Sequence, residues 1–225
     1  VDDSTGAQST SPHLRLGTVT REEYPLENLH RIVSGVTFFK ELLKTDPEQF
    51  ELLMTQARFV TAKQNEIVLH KGDGANVLYF LLRGELDVIA DDNAEEPLGT
   101  INPGEPFGVM AMVLNFKRSA SIRVSSKNAL LAGIEFDHFR HNDNASIFSL
   151  TTRITFFRML NSNIRWALER NKMEAPEHSL VARIRSLPIY SGEKNTAAEL
   201  HALMELAHLQ AELLRDWNDA CQASN

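Results

Sequence analysis

At 225 residues the chain is long enough to bury a real core, as one medium domain with an appendage or as two small ones. Its 43% hydrophobic and 24% charged residues are those of an ordinary globular protein, and apolar runs as short as VLYFLL at 77–82 exclude a membrane-spanning helix. A formal net charge of −7 and a pI near 5.6 argue against a nucleic-acid-binding face. The single cysteine, Cys221, excludes an internal disulfide and fits a reducing, cytoplasmic setting. The opening VDDSTGAQSTSP has neither the basic start nor the apolar core of a signal peptide.

Residues 1–24 are polar at first and are expected to form a flexible tail. From Pro25 the pattern is helical: Leu26, Leu29, Ile32 and Val33 are three and four apart, and Phe38, Phe39, Leu42 and Leu43 follow beyond Gly35. Asp46, Pro47 and Glu48 predict a capped helix start, with the helix running to about Gln56. From Arg58 the period changes to strands. These are predicted at 58–62, 66–70, 77–82, 85–90, 97–101, 119–124 and 129–136, broken by KQNE, KGDG, Arg83–Gly84, DDNAEE, NPGEP and SSKN. Many short strands at this spacing predict an antiparallel sandwich or barrel, of which a jelly roll is the fitting member.

Some jelly rolls are metal enzymes, which need about three convergent His or carboxylate ligands. The strand region offers His70 alone. His138 and His141, near Asp143, could form an HxxH pair, and a solvated helix entry explains them as well. His201 and His208 are too far apart along a helix to share an ion. No nucleophile–base or paired-carboxylate constellation stands out. The expectation is a protein that is not an enzyme and has no metal or cofactor.

The stretch Phe107–Ser121, FGVMAMVLNFKRSAS, orders its parts as an anion site. Gly104 and Gly108 permit close approach of backbone, a helix opening at about Val109 turns N–H groups toward a ligand, and Arg118 adds a charge. Ser119, Ala120 and Ser121 leave room for a phosphate beside that charge. Farther on, Asn144 or Ser146 could cap a helix reaching about Lys172. Along it Ile147, Leu150, Ile154, Phe157, Asn161, Ile164 and Leu168 repeat as heptad a and d positions. Such a seam seeks a partner helix, and a buried Asn at an a position fixes a parallel, in-register pair. A homodimer is therefore expected, with burial inside one chain as the alternative. A second stripe of Phe148, Thr152, Phe156, Met159 and Trp166 would face the barrel, and Thr151, Thr152 and Thr155 are candidates to reach a ligand.

The spacing of Phe107, Gly108, Met110, Ala111, Met112, Arg118, Ala120 and Ser121 resembles the phosphate-binding cassette of the cyclic-nucleotide-binding domain. That module is shared by catabolite-activator-type regulators, protein kinase A regulatory subunits and cyclic-nucleotide-gated channels. HKGDGANVLYFLLRGELDVIADD, His70–Asp92, resembles its Gly-punctuated strand pair. The resemblance covers roughly residues 25–172. It implies an α+β fold: an antiparallel jelly-roll barrel flanked by N-terminal helices and a long C-terminal helix, with a helical extension over 173–225. It also implies ligand contacts from Phe107, Gly108, Val109, Met110, Ala111, Arg118, Ser119, Ala120 and Ser121, and a ligand such as cAMP, cGMP or another phosphate-bearing nucleotide. Val109 departs from the pattern: the family's Glu there holds the ribose 2′-hydroxyl, and an isopropyl group cannot.

By the same resemblance, the long helix at about 145–172 would join two pockets across a dimer axis, with a hinge near Phe136–Asn144. Beyond Met173 the likeness to the DNA-binding members stops. A Pro-interrupted segment around Leu180, Val181, Ile184 and Ile189 leads to one helix, about Thr196–Ala220, and residues 173–225 carry eight acidic side chains against four basic. Leu200, Leu203, Leu206, Leu213, Leu214 and Trp217 make that helix amphipathic, suited to packing on the domain or on a dimer mate, or to docking a protein partner. The reading is a cyclic-nucleotide-type sensor without a DNA-binding output. The alternative is a ligand-free scaffold of the same fold.

Overall fold

Alternation along the strands sets up two cores that share one sheet. In the computed structural model, which describes residues 17–18, 24–140 and 146–223, β4 (Val77–Arg83) is buried along all of its length except Arg83. Its run VLYFLL is continuous because both faces are covered. Leu78, Phe80 and Leu82 join a core beneath the helices, whereas Val77, Tyr79 and Leu81 join a second core inside the barrel. β9 (Asn128–Glu135) divides the same way, with Leu130, Ala132 and Ile134 toward the helices and Ala129 and Leu131 toward the barrel.

The remaining strands are β1 (Gly17–Thr18), β2 (Arg58–Lys63), β3 (Ile67–Leu69), β5 (Leu86–Ile89), β6 (Pro97–Ile101), β7 (Pro106–Phe107) and β8 (Ser121–Val124). They form two sheets, ordered β1-β2-β9-β4-β7 and β3-β8-β5-β6, with antiparallel pairing throughout the described registers. All seven predicted strands are present. Two short ones were not predicted: β7, and β1, which pairs with Thr61 and Val60 inside the stretch expected to be a tail.

On the helical side lie α1 (Leu26–Val33), α2 (Thr37–Thr45) and α3 (Pro47–Gln56). Asp46 caps α3 as the sequence indicates, accepting from the Gln49 amide at 3.2 Å. The short helices α4 (Val109–Val113) and α5 (Asp137–Arg140) precede α6 (Leu150–Glu174). Aromatic rings fill this core. Phe139 stacks on Phe156 at 3.7 Å and on Phe148 at 4.7 Å, and Phe38 and Phe39 pack on Phe80.

The start of α6 differs from both predicted caps. Ser149 is the N-cap, its hydroxyl accepting from the Thr152 amide at 3.2 Å. Ser146 instead donates to the His138 carbonyl at 2.7 Å, and Asn144 lies outside the described residues, as do His141 and Asp143.

The heptad seam of α6 also differs from the dimer expectation. Ile154, Phe157, Asn161, Ile164 and Leu168 are buried within the chain, where α8 (Ala197–Ala223) covers α6. Ile147 and Leu150, at the helix entry, are 42% and 36% exposed. The heptad signal is the same whether the partner helix comes from another copy or from farther along the chain, and here α8 supplies it. The contacts advance in one direction along both helices, so the pair is parallel: Arg158 bonds Glu199, and Asn161 Nδ2 donates to the Leu203 carbonyl at 2.9 Å. The in-register, parallel role read from Asn161 is thus met inside one chain.

α8 is anchored at both ends. Near its start the Glu199 carboxylate receives Arg158 at 3.1 and 2.6 Å and the Asn195 amide at 2.6 Å, while Thr196 Oγ1 accepts from the Glu199 amide. This resembles a capping box, with Glu199 reaching the amide one residue before the Thr196 cap, and it is joined to an ion pair. Near its end Trp217 stacks on His178 at 4.3 Å, and Asp216 receives Arg183 at 2.7 Å from α7 (Val181–Arg185). Of the second predicted stripe on α6, Phe148, Thr152 and Phe156 are buried, but Trp166 is 68% exposed.

Candidate functional site

Pairing of β7 with β4 delivers the cassette to its place. Phe107 stands opposite Tyr79 in register, and their rings stack at 5.6 Å. Gly108 then turns the chain with φ +76°, a left-handed conformation that side chains rarely adopt, and caps α4. The return leg is tied to the turn after β3: the Arg118 amide donates to the Asp73 carbonyl at 2.9 Å, and the Gly72 amide to the Arg118 carbonyl at 2.8 Å.

These backbone bonds aim the Arg118 side chain inward, where the residue is only 4% exposed. Nη1 donates to the Gly108 carbonyl at 2.5 Å and Nη2 to the Val77 carbonyl at 2.7 Å, while Nε has no hydrogen-bond partner among the described residues. No carboxylate pairs with the guanidinium among the described residues; its charge faces carbonyl dipoles. Burial draws its pKa down to about 10, opposed by Tyr79 and Asp73 nearby, so it stays a cation at neutral pH. In turn, burial raises the Tyr79 phenol above its ordinary value, against the pull of Arg118. A buried cation without a counter-ion is costly, and an anion would relieve that cost.

The other predicted contacts separate into three groups. Phe107 and Gly108 lie with Arg118. Val109, Met110 and Ala111 belong to α4, with Val109 and Ala111 buried in the helix-side core and Met110 packed against it. Met110 Sδ also lies 4.0 Å from Asn218 Nδ2 of α8. Ser119 is exposed and Ala120 half-buried.

Ser121 is fully buried, but its hydroxyl is engaged away from Arg118. It donates to Asp92 Oδ1 at 2.5 Å and accepts from the Lys71 amide at 2.9 Å. Asp92 Oδ2 lies 2.6 Å from His70 Nδ1, and the hydrogen bonds from Ser121 and His70 hold this carboxyl below its ordinary pKa. Thr152 and Thr155 on α6 are buried and Thr151 is exposed. Sequence reasoning did not reach Asp73, Val77, Tyr79 and Asp92. The Gly-flanked Asp73 carried a turn signal, whereas Val77 acts through its carbonyl, which no side-chain pattern can reveal.

Residues 59–141 match the family model of the cyclic nucleotide-binding domain. The chain is 25% identical over 122 residues to a cGMP-dependent protein kinase of Eimeria tenella, a stretch that is 51% of this chain but 12% of the kinase. Among solved structures, a cyclic nucleotide-binding domain from Methylobacillus flagellatus superposes with a TM-score of 0.51 at 19% identity, covering 64% of this chain and 86% of that one. The regulatory domain of Toxoplasma gondii PKA, crystallised with cAMP, gives 0.43 at 23% identity, covering 60% and 49%. Among the described residues no helix is long and apolar enough to cross a membrane. Residues 59–141, the stretch that matches the cyclic nucleotide-binding domain model, are set here between N-terminal helices and the parallel pair α6 and α8.

Proposed function

We propose that this chain is a non-enzymatic cytoplasmic sensor that binds a cyclic nucleotide, or a related phosphate-bearing ligand, at Arg118 and reports occupancy through its C-terminal helices. The observation that carries this reading is the Arg118 guanidinium, buried, charged and without a carboxylate, with its Nε unbonded. A phosphodiester supplies the missing negative charge and accepts from Nε. The matched family and the cGMP-dependent kinase relative support the same ligand class.

The route outward is short. α4 carries Met110 against Asn218, and Phe116 lies 5.4 Å beneath the Arg215 guanidinium, so the cassette touches α8 directly. A ligand shifts these contacts by no more than its differential affinity for the two arrangements. A homodimer or a protein partner would have to use other surfaces than the filled seam; the exposed Trp166 and Met173 on α6 are the candidates.

A thermal-shift screen against cyclic AMP, cyclic GMP and cyclic dinucleotides tests the reading. A ligand at 100 times its dissociation constant stabilises by about 2.7 kcal/mol. The expected result is a rise in melting temperature with at least one cyclic nucleotide that is absent in Arg118→Met. The scaffold reading, which Val109 favours, predicts no shift with any of them.

A further inference from the structure

We propose that Asp92 is a positioning residue for the anion site: through Ser121 and His70 it fixes against one another the two pieces of chain, 70–73 and 118–121, that aim Arg118. The assignment rests on Arg118 being the ligand-binding cation.

The Arg118 backbone sets where its side chain points, and that backbone bonds the turn after β3 at Asp73 and Gly72. The turn is partly closed on itself. The Asp73 amide donates to the His70 carbonyl at 3.1 Å, and the His70 amide lies 3.4 Å from Asp73 Oδ2, at the weak limit. Bonds inside so short a turn do not fix its place on the barrel. A second tie does so farther along: the Lys71 amide donates at 2.9 Å to the hydroxyl of Ser121, three residues beyond Arg118. A hydroxyl carries one proton, and with its oxygen accepting from Lys71 that proton goes to Asp92 Oδ1 at 2.5 Å. The other carboxylate oxygen lies 2.6 Å from His70 Nδ1. One carboxylate thus joins the head of the turn to the far end of the return leg, with Arg118 tied between them.

Asp92 can serve as a fixed post because the connection between β5 and β6 that carries it is itself held. Arg123 on β8 donates to the Ala94 carbonyl at 2.9 Å and to the Glu95 carbonyl at 3.2 Å, and the Asn93 amide donates to Asp91 Oδ1 at 3.0 Å. Charge and position make opposite demands here. As a negative charge with a side chain 46% exposed, Asp92 repels an anionic ligand weakly through solvent, so charge alone makes its removal tighten binding. A positioning role makes its removal weaken binding.

Asp92→Ala in the full chain, which removes both acceptors, separates these effects with two readouts. By NMR, amide hydrogen exchange at Gly72 and Arg118 is expected to quicken about tenfold, while Ala132 in β9 exchanges as in the native chain. By calorimetry, the Kd for cyclic AMP or cyclic GMP is expected to rise about tenfold, the scale on which residues that orient a ligating side chain act. Val88→Ala, in β5 of the same sheet but outside the cluster, is the control for stability, and should lower the melting temperature while leaving Kd unchanged. His70→Ala, which removes only the half-buried ring, should move both readouts in the same direction and serves if Asp92→Ala does not fold. Unchanged exchange at Gly72 and Arg118 in a folded variant, or a Kd no higher than that of the native chain, overturns the assignment. Absence of nucleotide binding by the native chain, with exchange still quickened, overturns the ligand reading and leaves Asp92 holding the turn.

Discussion

Replacing Val109 by Glu tests how this pocket treats a sugar. Val109 opens α4 directly after the left-handed Gly108 and is 6% exposed. The family resemblance implies that a carboxylate at this place accepts the ribose 2′-hydroxyl. A hydroxyl buried without an acceptor costs about 1–3 kcal/mol, so restoring the carboxylate should tighten binding of a ribose-containing cyclic nucleotide by about 5- to 150-fold. A 2′-deoxy analogue should gain nothing. The substitution has its own cost. Losing the burial of a valine removes about 1.5–3 kcal/mol, of which an acid in a first helical turn restores about 0.3–1. A net loss of about 0.5–2.7 kcal/mol lowers the melting temperature of a chain this size by about 1–11 °C. Titration calorimetry with the ribose and 2′-deoxy forms reads the discrimination directly. Equal gains for the two forms, or a gain for neither, would refute the assignment of position 109 to the sugar.

Three further expectations concern the frame around the site. Burial works to raise the Glu199 pKa, but Arg158, the Asn195 amide and Lys194 outweigh it and hold the carboxyl below its ordinary 4.5. The stability it contributes is therefore complete above that value and is lost as pH falls through the lower, folded one. Urea midpoints should decline between about pH 5 and pH 3, less steeply in Glu199→Gln, and an unchanged slope would contradict the α8 anchor. Asn161→Leu gives up two hydrogen bonds together with a buried Oδ1 that lacks a partner, so stability should change by no more than about 1 kcal/mol. Its sedimentation should match the native chain; a change of oligomeric state would return that position to an intermolecular seam. Asp92→Asn weakens the bonds to Ser121 and His70 and should cost about 1 kcal/mol in denaturant unfolding. No loss would show that this cluster does not hold the ends of β3, β5 and β8 together.

Much of the fold was legible because its signals are local. Alternation and turn residues located all seven predicted strands, and Asp46–Pro47 marked a helix start by its own capping chemistry. β1 and β7 were not predicted, since two residues carry no period. The seam on α6 shows a different limit. Ile154, Phe157, Asn161, Ile164 and Leu168 announce that a parallel helix must cover them, but periodicity does not say from which chain, and that depended on a crossover of some twenty residues bringing α8 back. At the site, Gly108 and Arg118 were singled out by the anion-site pattern together with the family resemblance. The direction of the guanidinium was not, because it is fixed by the carbonyls of Gly108 and Val77, and backbone acceptors leave no trace in a sequence. Ser121 was placed correctly on the chain, yet its hydroxyl goes to Asp92, which sits in a turn twenty-nine residues away in sequence.

The most direct test of the account is calorimetric titration of the native chain and of Arg118→Met with cyclic AMP and cyclic GMP. The account predicts saturable binding of at least one nucleotide, one per chain, that disappears in the variant while the variant remains folded. Heats that are the same in both proteins, or no binding by the native chain at millimolar nucleotide, would contradict it.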